Sequence, residues 1–258
     1  MPWASMQLSD LRYVSFSYTV PEPTQGLQPI WVPEHKWLAV MQGYIALEDL
    51  AWHPPYPAIQ NHPEVLQLRR LAAMVPPGGK IVECGSYLGG SAKIIAEAAA
   101  SDVAIYCFDQ RWKDELDMGF SYLAAEDDLR PSLEWLKITW QLRDHDRYRG
   151  IYDFAQQYLR PHSNVQLIPA RVPEDCADWN QPIDMLFEDS SHENPQLSDN
   201  LYFWLGHVRS GGLIVGHDYN NYEWPDVKAE ADRLARILGS PLIHSGDPDD
   251  SVWYIRKP

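Results

Sequence analysis

Lys80-Ile-Val-Glu-Cys-Gly-Ser-Tyr-Leu-Gly-Gly-Ser-Ala92 decides the fold. An apolar run closes on an acid, opens a glycine loop, and passes into Lys93-Ile-Ile-Ala-Glu-Ala-Ala-Ala100, which reads as strand, turn and helix. Gly85, Gly89 and Gly90 would let a small polar ligand approach the backbone and the helix N-terminus. The loop lacks G-x-G-x-x-G spacing, and Ser91-Ala92 stands where a phosphate-binding loop needs Lys followed by Ser or Thr. Glu83 would repel a pyrophosphate, so it suits a cationic or hydroxyl-bearing ligand better than a nucleotide phosphate.

A second apolar strand, Val103-Ala-Ile-Tyr-Cys-Phe-Asp109, closes on an acid placed to hold two ribose hydroxyls. Working outward, apolar strands at 80–84, 103–108, 164–169, 183–188 and 212–217 alternate with helical spacing at 90–100, 195–206 and 225–238. That alternation predicts an α/β fold, a doubly wound parallel sheet covered on both faces. Pro241-Leu-Ile-His-Ser245 and Ser251-Val-Trp-Tyr-Ile-Arg256 read as a terminal antiparallel hairpin joined by Gly246–Asp250. A helix over 63–74 is stopped by Pro76-Pro-Gly-Gly79.

The glycine loop between Glu83 and Asp109 resembles that of class I S-adenosylmethionine-dependent methyltransferases, where an E/D-x-G-x-x-x-G loop and an acid ending the next strand hold the cofactor. The resemblance implies a seven-stranded Rossmann-like sheet. It also implies cofactor contacts from Glu83, Gly85, Ser86, Tyr87, Gly89, Gly90, Ser91, Asp109, Gln110 and Asp189.

The fourth and fifth strands carry Ile183-Asp-Met-Leu-Phe-Glu-Asp189-Ser-Ser-His192 and Gly211-Gly-Leu-Ile-Val-Gly-His217-Asp218-Tyr219. Parallel strands in such a sheet end at one crevice, so Glu83, Asp109, Asp189 and Asp218 should share a rim. The D-x-x-H element, G-G-L-I-V and H-D-Y are similar to the branch with metal-dependent macrolide sugar O-methyltransferases and cephalosporin hydroxylase-like proteins. There the resemblance implies a divalent metal, Mg or Mn, on Asp189, His217 and Asp218. It implies catalysis by His192 as base with Asp189 and Asp218. His217 departs from the branch, which has an acid at that place, and imidazole favours Mn²⁺, Fe²⁺ or Zn²⁺ over Mg²⁺. Residues 217 and 218 can face one ion only if the strand has ended before them. The bland readings are a helix-capping His192 and a structural His217.

Among 258 residues, 36 acids face 21 bases for a net charge of −15, which disfavours nucleic acid and anionic membrane as partners and suits a neutral or cationic small molecule. Cys84, Cys107 and Cys176 cannot all pair and read as reduced core residues, and no leader or membrane span is recognisable, so the expected location is cytoplasmic. Residues 1–62 form a proline- and aromatic-rich arm expected to cover the core or a neighbouring subunit of a homo-oligomer. Residues 63–258 form the main domain, with a helical insertion at about 111–162 that includes Leu133–Trp140 and reads equally as lid or interface. Trp112 and Tyr219 each follow a rim acid closely and are candidates for a substrate platform. The resulting expectation is an O-methyltransferase acting on a small hydroxylated compound, a sugar or specialised metabolite. Three rivals stand beside it: a metal-independent methyltransferase, a non-catalytic assembly protein retaining the fold, and a nicotinamide-dependent oxidoreductase, which the loop spacing opposes.

Overall fold

The computed structural model describes residues 62–121, 149–244 and 251–258. The arm before residue 62, the Leu133–Trp140 stretch and the Gly246–Asp250 link lie outside them. Seven strands form one sheet: β1 (Lys80–Cys84), β2 (Ala104–Asp109), β3 (Val165–Pro169), β4 (Ile183–Glu188), β5 (Val208–Gly216), β6 (Leu242–His244) and β7 (Trp253–Arg256). Their order is β3-β2-β1-β4-β5-β7-β6, with the first five parallel and β7 antiparallel to both of its neighbours. Ile81, Val82 and Cys84 have no exposure, as a central strand covered on both faces requires, which is why β1 reads as a continuous apolar run.

The described helices are α1 (His62–Ala72), α2 (Gly90–Ala98), α3 (Gln110–Met118), α4 (Ile151–Leu159), α5 (Gln196–His207) and α6 (Pro225–Leu238). Trp204 on α5 packs edge-on to Trp179 and beside Phe108, filling one face of the sheet. On the other face α1 buries Leu68 and Leu71, and α2 buries Ile94 and Ile95. The strand order reverses between β1 and β4, so the crevice beyond their carboxyl ends is where this architecture places ligands.

One expectation changes. Strand β5 begins at Val208 rather than 212, with Gly211, at φ +78°, and Gly212 in a bulge opposite Asp184 of β4. Gly211 N–H donates to the Lys257 carbonyl and Lys257 N–H to that of Gly212, which keeps the pair in register with the chain end. The span 111–162 carries described elements at both ends. Trp112 of α3 is fully buried, and the α3 carboxylate of Glu115 accepts the Ile151 and Tyr152 N–H groups at 3.0 and 3.1 Å, capping α4. Its two described ends therefore belong to the layer that covers the sheet. The three cysteines are free and buried, and no described helix is long and apolar enough to cross a membrane.

Candidate functional site

The glycine loop is laced to the strand ends around it. Gly85 N–H donates to the Phe108 carbonyl at 2.8 Å, and Asp189 N–H to that of Cys84 at 2.9 Å. Gly85 has φ +88°, and a Cβ there would run into the Asp189 carbonyl and lie 2.6 Å from Ser190 Cα. Gly89, at φ +83°, would place a Cβ 2.6 Å from Leu159 Cδ1. These two glycines are thus required by the close approach of the segment after β4 and of α4, beside any room they leave for a ligand. Gly90 and Ser91 are buried in the first turn of α2.

Glu83 has no exposure and accepts a hydrogen bond from Ser86 Oγ, while its Oε1 is buried without a partner. Burial raises its pKa, against the lowering effect of Ser86, Ser91 and Cys107. It stands beneath the loop instead of on an open rim, because β1 is covered on both faces. Asp109 is also buried: Oδ2 accepts from Tyr87 N–H at 2.7 Å, and Oδ1 from Arg111 and Trp112 N–H at 2.7 and 3.2 Å. It caps α3 and ties that helix to the loop. Burial raises its pKa in spite of these donors. Gln110 is an exposed first residue of α3, and the buried Tyr87 hydroxyl has no partner, its pKa pushed up to about 12 by burial. A buried acceptor at the end of β1 and a buried hydroxyl on the loop that follows, both without partners, fit a ligand that brings donors and acceptors, such as the amino-acid and ribose groups of a nucleoside sulfonium.

The acids after β4 and β5 meet. His192 Nε2 lies 2.8 Å from Asp218 Oδ2 and 3.8 Å from Asp189 Oδ1. His217 Nδ1 lies 3.2 Å from Asp218 Oδ2 and 3.5 Å from Asp189 Oδ1. Strand β5 ends at Gly216 and Asp218 adopts φ +61°, so consecutive residues escape the strand alternation and face one point, as the sequence required. Gly216 has no room for a side chain because the Trp253 ring lies on it, and Trp253 Nε1 donates to the His217 carbonyl at 3.2 Å.

Burial pulls the His192 pKa down, but Asp189 and Asp218 outweigh it and raise the group to about 9. His217 is likewise raised well above its ordinary value despite burial, by Asp189, Glu64 and Asp218. Burial raises the Asp218 carboxyl, yet donation from His192, His217 and Asn221 leaves it well below the usual carboxylate range. Ligand atoms of Asp189, His192 and Asp218 lie within 4.8 Å of one another, close enough to hold a metal ion. Two carboxylates and imidazole nitrogens form a hard–borderline donor set that fits Mn²⁺, Fe²⁺ or Zn²⁺ better than Mg²⁺.

Of the sequence-derived residues, Asp189, His192, His217 and Asp218 form one cluster, while Glu83 and Asp109 are buried in the adjoining loop, with Asp189 near enough to Glu83 to raise its pKa. His192 does not cap α5. Asn194 Oδ1 accepts the Ser198 N–H instead, at 3.2 Å. Neither watched aromatic is a platform: Trp112 Nε1 donates to the Tyr87 carbonyl at 2.7 Å, and the Tyr219 hydroxyl turns away to Asp232 at 2.8 Å. Two residues went unread. Trp224, at the start of α6, stacks on His192 with ring centroids 4.8 Å apart. Glu64 of α1 lies 3.2 Å from His217 Nε2. A Trp six residues beyond Asp218 was a weak sequence signal for the first, and a lone acid in an amphipathic helix gave none for the second.

The fold has counterparts among known proteins. A family profile described as a methyltransferase domain matches residues 82–219, more than half of the chain. No curated protein matches it in sequence. A protein from Corynebacterium glutamicum shares its fold at TM-score 0.52 and 14% identity, covering 86% of this chain and 87% of that one. A candidate caffeoyl-CoA O-methyltransferase from Staphylococcus aureus does so at TM-score 0.51 and 14% identity, over 86% and 98%. A SAM-dependent O-methyltransferase from Thermotoga maritima aligns at TM-score 0.49 and 12% identity, over 85% and 69%. With its 3-2-1-4-5-7-6 sheet and its glycine loop inside the matched span, the chain belongs to the methyltransferase-domain family.

Proposed function

We propose that the protein is an S-adenosylmethionine-dependent O-methyltransferase acting on a hydroxyl of a small molecule, a sugar or specialised metabolite, with assistance from a divalent metal. The observation that carries this reading is the position of His192 Nε2, 2.8 Å from Asp218 and 3.8 Å from Asp189, in the segment whose Asp189 carbonyl abuts Gly85 of the glycine loop. The cofactor supplies an electrophilic methyl group on a sulfonium. Glu83, Gly85, Ser86, Tyr87, Gly89, Gly90, Ser91, Asp109, Gln110 and Asp189 are the residues assigned to hold it. Asp189, His217 and Asp218 would hold a divalent cation, which would supply a Lewis acid that makes a nearby hydroxyl easier to ionise.

The two histidines divide the work by exposure. His192 keeps 28% of its side chain exposed, so it can reach a substrate and exchange its proton with water, while His217 keeps 10% and is enclosed. His192 is therefore the base that takes the substrate hydroxyl proton in its neutral form, which a cation held by the two carboxylates would favour by offsetting the charge that raises its pKa, and His217 would be the third metal ligand. Trp224 stacks on the His192 ring and fixes its plane. Asp218 accepts from Asn221 Nδ2 at 3.1 Å, which holds its other oxygen toward the histidines. Orientation of these groups, more than any single bond, supplies the rate.

The test is methyl transfer from labelled S-adenosylmethionine to a panel of small hydroxylated acceptors, with and without Mn²⁺. Substitution His192→Asn is expected to lower kcat by about 10²- to 10⁴-fold while leaving S-adenosylhomocysteine affinity within about twofold. Full activity in His192→Asn would remove His192 as the base. A second reading has its own support: the 2.8 Å His192–Asp218 pair is by itself a base oriented by a carboxylate. Transfer that survives exhaustive chelation selects that metal-independent version.

A further inference from the structure

His217 spans two carboxylate environments. Its Nδ1 faces the Asp189 and Asp218 pair at 3.5 and 3.2 Å, while its Nε2 lies 3.2 Å from Glu64 Oε1. Nε2 is fully buried and, among the described residues, has no hydrogen-bond partner; the Glu64 carboxylate stands at ion-pair distance from it. A buried ring nitrogen that carries a proton needs an acceptor, and Glu64 is the one at hand. Glu64 is itself delivered rigidly. It sits in the first turn of α1, which is anchored by fully buried Leu68 and Leu71, and its Oε1 also accepts the Ser251 N–H at 3.0 Å. This helix lies before the span 82–219 that carries the family match, so the contact is an addition made by another part of the chain.

We propose that Glu64 is the positioning residue for His217: its carboxylate accepts the Nε2 proton, which leaves the Nδ1 lone pair turned to Asp189 and Asp218 as the nitrogen ligand of the divalent cation. The inference rests on the metal-assisted reading above. An imidazole presents a lone pair at one nitrogen only when the other holds the proton, so the outer carboxylate selects the tautomer. The same carboxylate makes the ring a better donor to the ion.

The test uses the full chain and three readouts. Glu64→Gln keeps an oxygen for the Ser251 N–H, so the chain should still fold, and its affinity for S-adenosylhomocysteine should stay near wild type. Its Mn²⁺ affinity, measured by calorimetry, should fall about 10- to 100-fold. A double-mutant cycle with His217→Ala should show no further loss. Nitrogen-15 spectra of the metal-free protein, taken at a pH above the titration of His217 and assigned with His217→Ala, should show an Nε2–H ring at His217 in wild type and lose that preference in Glu64→Gln. Unchanged Mn²⁺ affinity in either single variant, or an unchanged tautomer in Glu64→Gln, overturns the proposal. Wild type that binds S-adenosylhomocysteine and no Mn²⁺ also overturns it while leaving the methyl-donor reading intact. Mn²⁺ and tautomer results as expected with no S-adenosylhomocysteine binding would support Glu64 and sink that reading instead.

Discussion

A few side chains at the ends of β4 and β5 decide the chemistry, and their charges depend on one another. His192 is raised to about 9 by Asp189 and Asp218, against burial. A group raised in the folded state adds stability that is full below its ordinary value of 6.5 and is lost as pH climbs through the folded value. The metal-free protein should therefore show a falling denaturation midpoint between about pH 6.5 and pH 9. His192→Asn should flatten part of that slope, with His217 supplying the rest because it is raised in the same direction. A midpoint that rises over this window would show that the acids do not hold these histidines charged. The sequence disclosed this cluster because D-x-x-H and H-D-Y put four donors after two strands known to end together. It could not disclose Glu64 or Trp224, whose contacts arise from where α1 and the start of α6 pack.

Elements place those residues, and the loop after β1 is the tightest joint. Gly85→Ala would combine a left-handed backbone, at φ +88°, with a Cβ driven into the Asp189 carbonyl. The expected cost is about 3 kcal/mol, the sum of roughly 1–2 kcal/mol of backbone strain and a similar overpacking penalty, read by denaturant titration. Asp109→Ala should cost about 1–2 kcal/mol through loss of the α3 cap, with the Tyr87 N–H left unpaired as well. A neutral outcome for either substitution would mean the loop can shift without disturbing β4. Strands β1 and β4 and helix α6 were legible to the residue, because buried apolar runs and Pro225 at the start of α6 mark them clearly. The start of β5 and the helices α3 and α4 were less so. Gly-Gly imitates a turn, and a capping Asp109 looks the same in sequence as a ligand-binding acid.

At the scale of the molecule, α1, the sheet and the crevice between β1 and β4 form one thermodynamic unit, so ligand binding should report on the whole. S-adenosylhomocysteine at a hundredfold excess over its dissociation constant should add about 2.7 kcal/mol, an upward Tm shift of roughly 5–10 °C for a chain of this size. The net charge of −15 sets the other large-scale expectation: a labelled oligonucleotide should show no saturable binding even at low salt. Whether the acids were neighbours was the question composition could not answer, since Asp189 and Asp218 are distant in sequence and adjacent only because β4 pairs with β5. The most direct measurement is a calorimetric titration of the full chain with S-adenosylhomocysteine. The account predicts saturable binding at one site per chain, weakened by Asp109→Ala and indifferent to His192→Asn. Absence of heat together with an unmoved Tm would contradict it.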